Sequence, residues 1–103
     1  MSNETSLKQR FAAAVTQIDW VLEALRGEED SSAWIAQFAD LRRLSDGQAE
    51  APDEYLQEVR DRVARMFVGG RNLGDFFLWD EDFDLRESKN KEWNRVLQRL
   101  RNA

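Results

Sequence analysis

The chain has 103 residues, of which 42% are hydrophobic and 34% charged, and its formal net charge is −5. This length and this hydrophobic share predict that residues 1–103 fold as one domain around a single modest core. The acidic balance argues against direct binding of nucleic acid, because binding to phosphates relies on Lys and Arg side chains that release counterions.

The sequence contains neither cysteine nor histidine. The lack of cysteine rules out disulfides and thiolate metal sites, and it is typical of a reducing cytoplasm. The lack of histidine removes the usual general base and the commonest metal ligand. No basic and apolar leader is recognisable, and no stretch approaches the roughly 20 apolar residues of a membrane span. We therefore expect a cytoplasmic protein that binds no cofactor and no membrane.

The first predicted helix begins at Ser6, which can cap it together with Gln9, and ends at Gly27. Residues 1–5 are polar, and we expect them to be disordered. Trp20 lies opposite the apolar side of this helix, where it is either exposed or covered by a second packed face or a loop. The apolar residues recur at steps of three and four and form one stripe: Leu7, Phe11, Ala14, Val15, Ile18, Val21, Leu22 and Leu25.

The second predicted helix follows an acidic linker, residues 28–32. Either Ser31 or Ser32 can cap its start, since a serine hydroxyl accepts a hydrogen bond from a free backbone N–H. The helix should run to about Leu44. Its apolar residues share one face at helical spacing, with Trp34, Phe38 and Leu41 in a row.

The third predicted helix starts at Pro52, because a first helical turn tolerates proline, and it ends at the glycine pair Gly69-Gly70. One face of this helix is apolar and the other is charged. The charged face shows the spacing of helical ion pairs, with the pairs Glu58–Arg62 and Asp61–Arg65.

A short aromatic run, Phe76-Phe77-Leu78-Trp79, favours a β-strand, and residues 83–85 could form its return strand. A continuous short helix is the alternative, because so short an apolar run does not show its period. The last helix should begin near Ser88 or Asn90 and run to Leu100. The predicted fold class is mainly α, with about four helices, a glycine turn and a possible short β-hairpin before the last helix.

Two stretches resemble ligand-binding loops but lack the residues that such loops need. Residues 69–74 are rich in glycine, yet they follow a helix and lead into Asp75, whereas a phosphate loop follows a strand and continues into Gly-Lys-Ser/Thr. A second pattern has the alternate spacing of calcium ligands and consists of Asp80, Asp82 and Asp84. A calcium loop would also need glycine where Leu85 stands and glutamate where Lys91 stands. No acidic pair or serine lies in a catalytic context, so we expect neither a metal site nor an enzyme.

The remaining candidate site is segment 75–84, which combines aromatic residues with five carboxylates and no basic residue. Phe76, Leu78 and Leu85 could pack inward, while Phe77, Trp79 or Phe83 face elsewhere. Aromatic anchors beside charges are common in protein interfaces. The predicted partner-binding residues are Asp75, Phe77, Trp79, Asp80, Glu81, Asp82, Phe83, Asp84 and, on the outer side of the first helix, Trp20.

The last third of the chain resembles a family of small uncharacterised bacterial proteins. The matching residues are the aromatic–x–Gly–Gly turn at 67–70, a short polar stretch, and Asp75 followed by apolar residues. Gly74 departs from the asparagine expected before that aspartate. The closing helix adds Glu92, Leu97 and Leu100. Small, acidic, mostly helical proteins of this kind are often immunity-type partners of secreted bacterial toxins.

The resemblance implies an immunity protein that neutralises a cognate toxin, and the acidic segment implies that the bound toxin domain is basic. Two other functions stay open. One is a phage-type acidic inhibitor of a nucleic-acid-binding complex, and the other is a stand-alone regulatory helical module. The resemblance brings no catalytic residue, and the sequence gives no indication of oligomeric state.

Overall fold

The structure is a computed structural model that describes residues 3–70 and 72–103. Within these ranges the chain is mainly α, as predicted, and it contains no β-strand. No helix in the described part of the chain is long and apolar enough to cross a membrane. The helices are α1 (Asn3–Leu25), α2 (Ser32–Ser45), α3 (Pro52–Met66) and α4 (Phe83–Arg101), with a 3-10 turn at Leu73–Asp75.

Helix α1 lies at the centre of the bundle: like α3 it contacts all three of the other helices, and its contacts are the most extensive. Its apolar stripe is buried at Ala14, Ile18, Val21 and Leu25 and partly buried elsewhere, and the apolar faces of α2, α3 and α4 pack around it. The largest fully buried side chains come from the three surrounding helices: Phe38, Tyr55 and Trp93. The ring of Phe11 lies 5.0 Å from that of Tyr55, and the ring of Trp20 lies 6.3 Å from that of Trp93. Burial of such side chains is the main force that holds the four helices together.

The ends of α1 differ from the prediction. The helix begins at Asn3, so Ser6 lies inside the helix and is not its cap. The expected disorder of residues 1–5 falls partly on Met1 and Ser2, which lie outside the described residues. At the other end, Ser31 precedes α2 as expected, but its hydroxyl donates to the carbonyls of Leu25 and Glu28 instead of accepting from α2. Ser31 therefore stabilises the end of α1 more than the start of α2.

Helix α3 begins at Pro52, as predicted, and ends at Met66, ahead of Gly69, which has a φ of +106°. A positive φ favours glycine, since other residues meet a steric clash there. The predicted ion pair between Arg62 and Glu58 is present. The second predicted pair is not formed side chain to side chain, because Arg65 donates to the backbone carbonyl of Asp61.

The predicted β-hairpin is wrong. Residues 83–85 form the first turn of α4, because the Asp82 carboxylate accepts a hydrogen bond from the Leu85 N–H and caps the helix. Helix α4 therefore starts well before the predicted Ser88 or Asn90. Residues 76–82, here called the strap, run across the end of the bundle without regular secondary structure.

Side chains take the place of a second strand beside the strap. Asn90 on α4 accepts from the Leu78 N–H at 2.8 Å and donates to the Leu78 carbonyl at 3.0 Å. The Trp79 N–H donates to Glu28 Oε1 at 3.0 Å. Buried backbone groups need such partners, since leaving them unpaired costs free energy. The strap is thereby fixed to the turn after α1 and to α4 without any sheet.

Candidate protein-interaction site

Exposed apolar side chains are concentrated in one stretch of the chain. The large hydrophobic residues that are exposed in the described structure are Val68 and four residues between positions 77 and 85. Those four are Phe77 (61% exposed), Trp79 (56%), Phe83 (60%) and Leu85 (54%), and they are here called the ridge. Single exposed apolar residues are common, but a group of this size marks an interaction surface on many proteins.

The extended backbone of the strap explains which of its side chains face outward. Alternate residues of an extended segment point to opposite sides. Leu78 is buried, and the Phe76 ring packs 5.7 Å from that of Trp93. Phe77 and Trp79 therefore point away from the core, as the sequence predicted.

Helix α4 adds the other half of the ridge. Phe83 is exposed, in agreement with the sequence analysis, but the expectation that Leu85 packs inward is wrong. The first turns of α4 have no helix beside them, and no residue from 83 to 89 is buried. Leu85 is exposed because the hairpin that would have turned it inward does not exist.

Arg86 organises the ridge and was not among the residues predicted from the sequence. Its guanidinium carbon lies 4.5 Å from the ring centroid of Trp79 and 5.3 Å from that of Phe83. These are cation–π distances, so Arg86 holds the two rings in place. It makes no ion pair with another described residue. Helical spacing from Phe83 to Arg86 would have indicated this contact if the start of α4 had been predicted correctly.

Two of the five predicted carboxylates bind their own chain. Asp80 lies 2.8 Å from Lys89 Nζ and accepts a hydrogen bond from the Asp82 N–H, and these contacts, the lysine first, hold the pKa of Asp80 below its ordinary value. Asp82 caps α4. No group of three or more acidic residues in the described chain is placed to hold a metal ion. Three carboxylates are exposed and make no polar contact with another described side chain: Asp75, Glu81 and Asp84.

Two grooves flank the ridge, and both are lined by Phe77 and Trp79. The turn-side groove has a volume of about 580 Å³ and is also lined by the turn after α1 and by Asp75. Its carboxylates are those of Glu28, Glu29, Asp30 and Asp75. The α4-side groove has a volume of about 550 Å³ and is also lined by residues of α4, among them Arg86 and Lys91. From the sequence, residues 28–30 were expected to be only part of a linker. Nothing in the sequence indicates that this linker lies beside the strap.

Trp20 is not part of the ridge. It is half-buried, its ring packs on that of Trp93, and it lines a small cleft with Leu78 and Lys89. Of the two alternatives for Trp20, the structure shows the packed face. The other predicted residues, from Asp75 to Asp84, lie on or next to the strap and the first turn of α4.

Comparisons of the chain with protein-family models, with curated proteins and with solved structures give no significant match. What the protein does is therefore inferred from the ridge, the two grooves and the charges around them.

Proposed function

We propose that the protein binds another protein through the ridge, with Trp79, Phe83 and Arg86 at the centre of the interface. The observation that carries this proposal is the exposure of four large apolar side chains within nine residues, two of which, Trp79 and Phe83, are joined by Arg86. Removing apolar surface from water contributes roughly 25 cal/mol per Å², so a partner that covers the ridge gains affinity from it. Trp and Arg are also the residue types that dominate the energetics of interfaces.

The ridge is held in one arrangement before any partner arrives. Asn90 and Glu28 fix the backbone on which Phe77 and Trp79 stand, and Arg86 restrains two of the rings. Side chains that are already ordered lose little conformational entropy on binding. A fixed ridge suits a binding protein, and the proposed function involves no catalytic step.

The more specific form of the proposal is an immunity protein that neutralises a bacterial toxin in the cytoplasm. It is supported by the resemblance around Gly69-Gly70 and Asp75 and by the carboxylates near the ridge. Asp75, Glu81 and Asp84 are exposed and free to attract a basic toxin domain. Such charges raise the association rate and select the partner more than they raise affinity.

Photo-crosslinking tests the location of the interface. We would replace Phe77 or Phe83 by benzoylphenylalanine, irradiate cells of the native host and identify the adducts by mass spectrometry. The matched control carries the same group at Ala49, an exposed residue that lines a groove with Leu7 and Phe11 near the start of α1. One protein should crosslink to positions 77 and 83 and not to position 49. The same adducts from all three positions, or none from the ridge, would contradict the proposal.

A growth assay tests the immunity function. The crosslinked protein, produced alone, should arrest growth, and co-production of this chain should restore it. Trp79→Ala should weaken the rescue, because it removes the largest side chain of the ridge. A partner that causes no growth arrest would leave protein binding intact and overturn the immunity assignment.

A further inference from the structure

The two grooves beside the ridge carry opposite charge. The lining of the turn-side groove includes four carboxylates and no basic side chain. The lining of the α4-side groove includes Arg86 and Lys91 with a single carboxylate, Glu87. Phe77 and Trp79 belong to both linings and therefore separate them. The exposed surface is thus apolar in the middle, negative on one side and positive on the other.

A surface with this pattern is complementary to itself. When two copies meet face to face across a two-fold axis that runs along the ridge, the negative groove of each faces the positive groove of the other. A two-fold interface uses the same patch on both subunits, so each contact occurs twice. We propose that a second copy of this chain covers the ridge in a symmetric dimer, in which Arg86 and Lys91 of each copy face the carboxylates of the other.

The charged groups that this dimer needs are available in the monomer. Glu29, Asp75 and Lys91 are exposed, and none of them makes an ion pair with another described residue. Arg86 is held by aromatic rings and has no carboxylate of its own chain as a salt-bridge partner in the described structure. A second copy supplies a partner for both signs of charge at once, whereas an unrelated basic protein would match only the turn-side groove.

The dimer should be weak and dependent on concentration. Each chain carries a net charge of −5, so two copies repel at long range while the grooves attract at short range. The dimer and the partner of the proposed function use the same ridge and exclude each other. Self-association would then keep the apolar side chains covered until a tighter partner displaces the second copy.

Sedimentation velocity with light scattering provides the first test, using purified protein alone. The mean mass should rise from the 12.1 kDa of one chain toward that of two as concentration rises from about 10 µM to about 1 mM, the range expected for a weak interface. Trp79→Ala should lower the association constant at least about tenfold. A parent protein that stays monomeric overturns the dimer and leaves the crosslinking test of the proposed function unaffected.

A charge exchange between the grooves gives the decisive test. One variant makes both grooves negative (Arg86→Glu with Lys91→Glu). The other makes the turn-side groove positive (Glu29→Lys with Asp75→Lys and Asp30→Asn), and asparagine suits the positive φ of position 30. Each variant alone should be monomeric, since like charges then face each other, and an equimolar mixture should form a heterodimer. Self-association of either variant at the parental strength, or no dimer in the mixture, would overturn the proposed geometry.

Two controls separate charge effects from folding effects. Glu50→Lys with Asp53→Lys changes the net charge nearly as much as the turn-side variant does, but near the start of α1, so dimerisation should be retained. Arg86→Glu could disturb the rings on which it lies. Lys91→Glu alone, at an exposed position, should still weaken the dimer and pair with the turn-side variant, and circular dichroism should show parental helix content for every variant.

Discussion

Trp93 and Trp79 are the same residue type in opposite environments. Trp93 is 1% exposed and packs on Trp20 and Phe76 inside the bundle, whereas Trp79 is 56% exposed at the end of it. The difference lies in the neighbours of each backbone segment. From Asn90 onward α4 packs against α1 and α3, but its first turns have only the strap beside them.

The comparison shows that an apolar pattern does not by itself determine burial. Both tryptophans stand near other apolar residues in the sequence, and only the arrangement of helices makes one of them core. An apolar side chain left in water does not gain the free energy that burial would give. The four exposed side chains of the ridge therefore indicate a surface that a partner covers. Substitution of Trp93 should therefore lower the stability of the fold, whereas substitution of Trp79 should weaken binding to a partner.

The largest effect is expected from Trp93→Ala. It should reduce the free energy of unfolding by about 3–5 kcal/mol, because it leaves a cavity among the helices. Trp93→Phe should cost less, since it keeps an aromatic ring and removes a buried indole N–H that has no hydrogen-bond partner in the described structure. Denaturant unfolding would measure both. A loss below about 1 kcal/mol for Trp93→Ala would place Trp93 outside the core.

Alkaline pH should weaken the bundle through Tyr55. Burial raises the pKa of Tyr55, the only tyrosine, from 10.0 to about 12. The folded protein then keeps a proton that the unfolded chain loses, so the stabilisation is complete below pH 10 and falls as the pH rises toward 12, by about 3 kcal/mol in total. Tyrosinate absorbance of the folded protein should give the pKa directly. A titration near 10 in the folded state would contradict the buried position.

Loss of Asn90 should release the strap. Asn90→Ala removes the partners of the Leu78 N–H and carbonyl and should reduce the free energy of unfolding by about 2 kcal/mol. Hydrogen exchange at the Leu78 amide should accelerate, while amides inside α1 change only as much as global stability does. Asn90→Asp is the matched control, because it keeps the acceptor for the Leu78 N–H and loses both donors. Unchanged exchange at Leu78 in Asn90→Ala would show that other contacts fix the strap.

The carboxylates near the ridge should divide into two classes. Asp82→Ala should lower stability by about 1 kcal/mol, because it removes the cap of α4. Glu81→Gln with Asp84→Asn should leave the melting temperature within a few degrees and slow association with a basic partner, most clearly at low salt. Stopped-flow binding would measure this rate. A variant that associates as fast as the parent would mean that these two carboxylates have no role in encounter.

The helices could be predicted from the sequence because their apolar residues repeat at helical spacing over long stretches. Pro52 marked the start of α3, and the stripe from Phe11 to Leu25 marked the interior face of α1. The start of α4 could not be predicted in this way, since Phe83 and Leu85 do not continue the stripe of Trp93 and Leu100. Asp82 was interpreted as part of an acidic turn, although an aspartate is also a good helix cap.

The candidate site was predicted only in part, for a physical reason. The outward direction of Phe77 and Trp79 follows from alternation along the strap and could be predicted, whereas Phe83 is exposed because it begins α4. The contacts that define the site join distant parts of the chain, as between Glu28 and the Trp79 N–H, and no local pattern reveals them. The same is true of Asn90, whose side chain takes the role that the sequence analysis assigned to a second strand.

The central claim, that the ridge is an interface and not a displaced piece of core, is tested most directly by Trp79→Ala. Its thermal unfolding and its affinity for the crosslinked partner would be measured on the same preparation. We expect a melting temperature within a few degrees of the parent and an affinity loss on the order of 2 kcal/mol, mainly through faster dissociation. A variant that unfolds, or one that binds the partner as tightly as the parent, would contradict the claim.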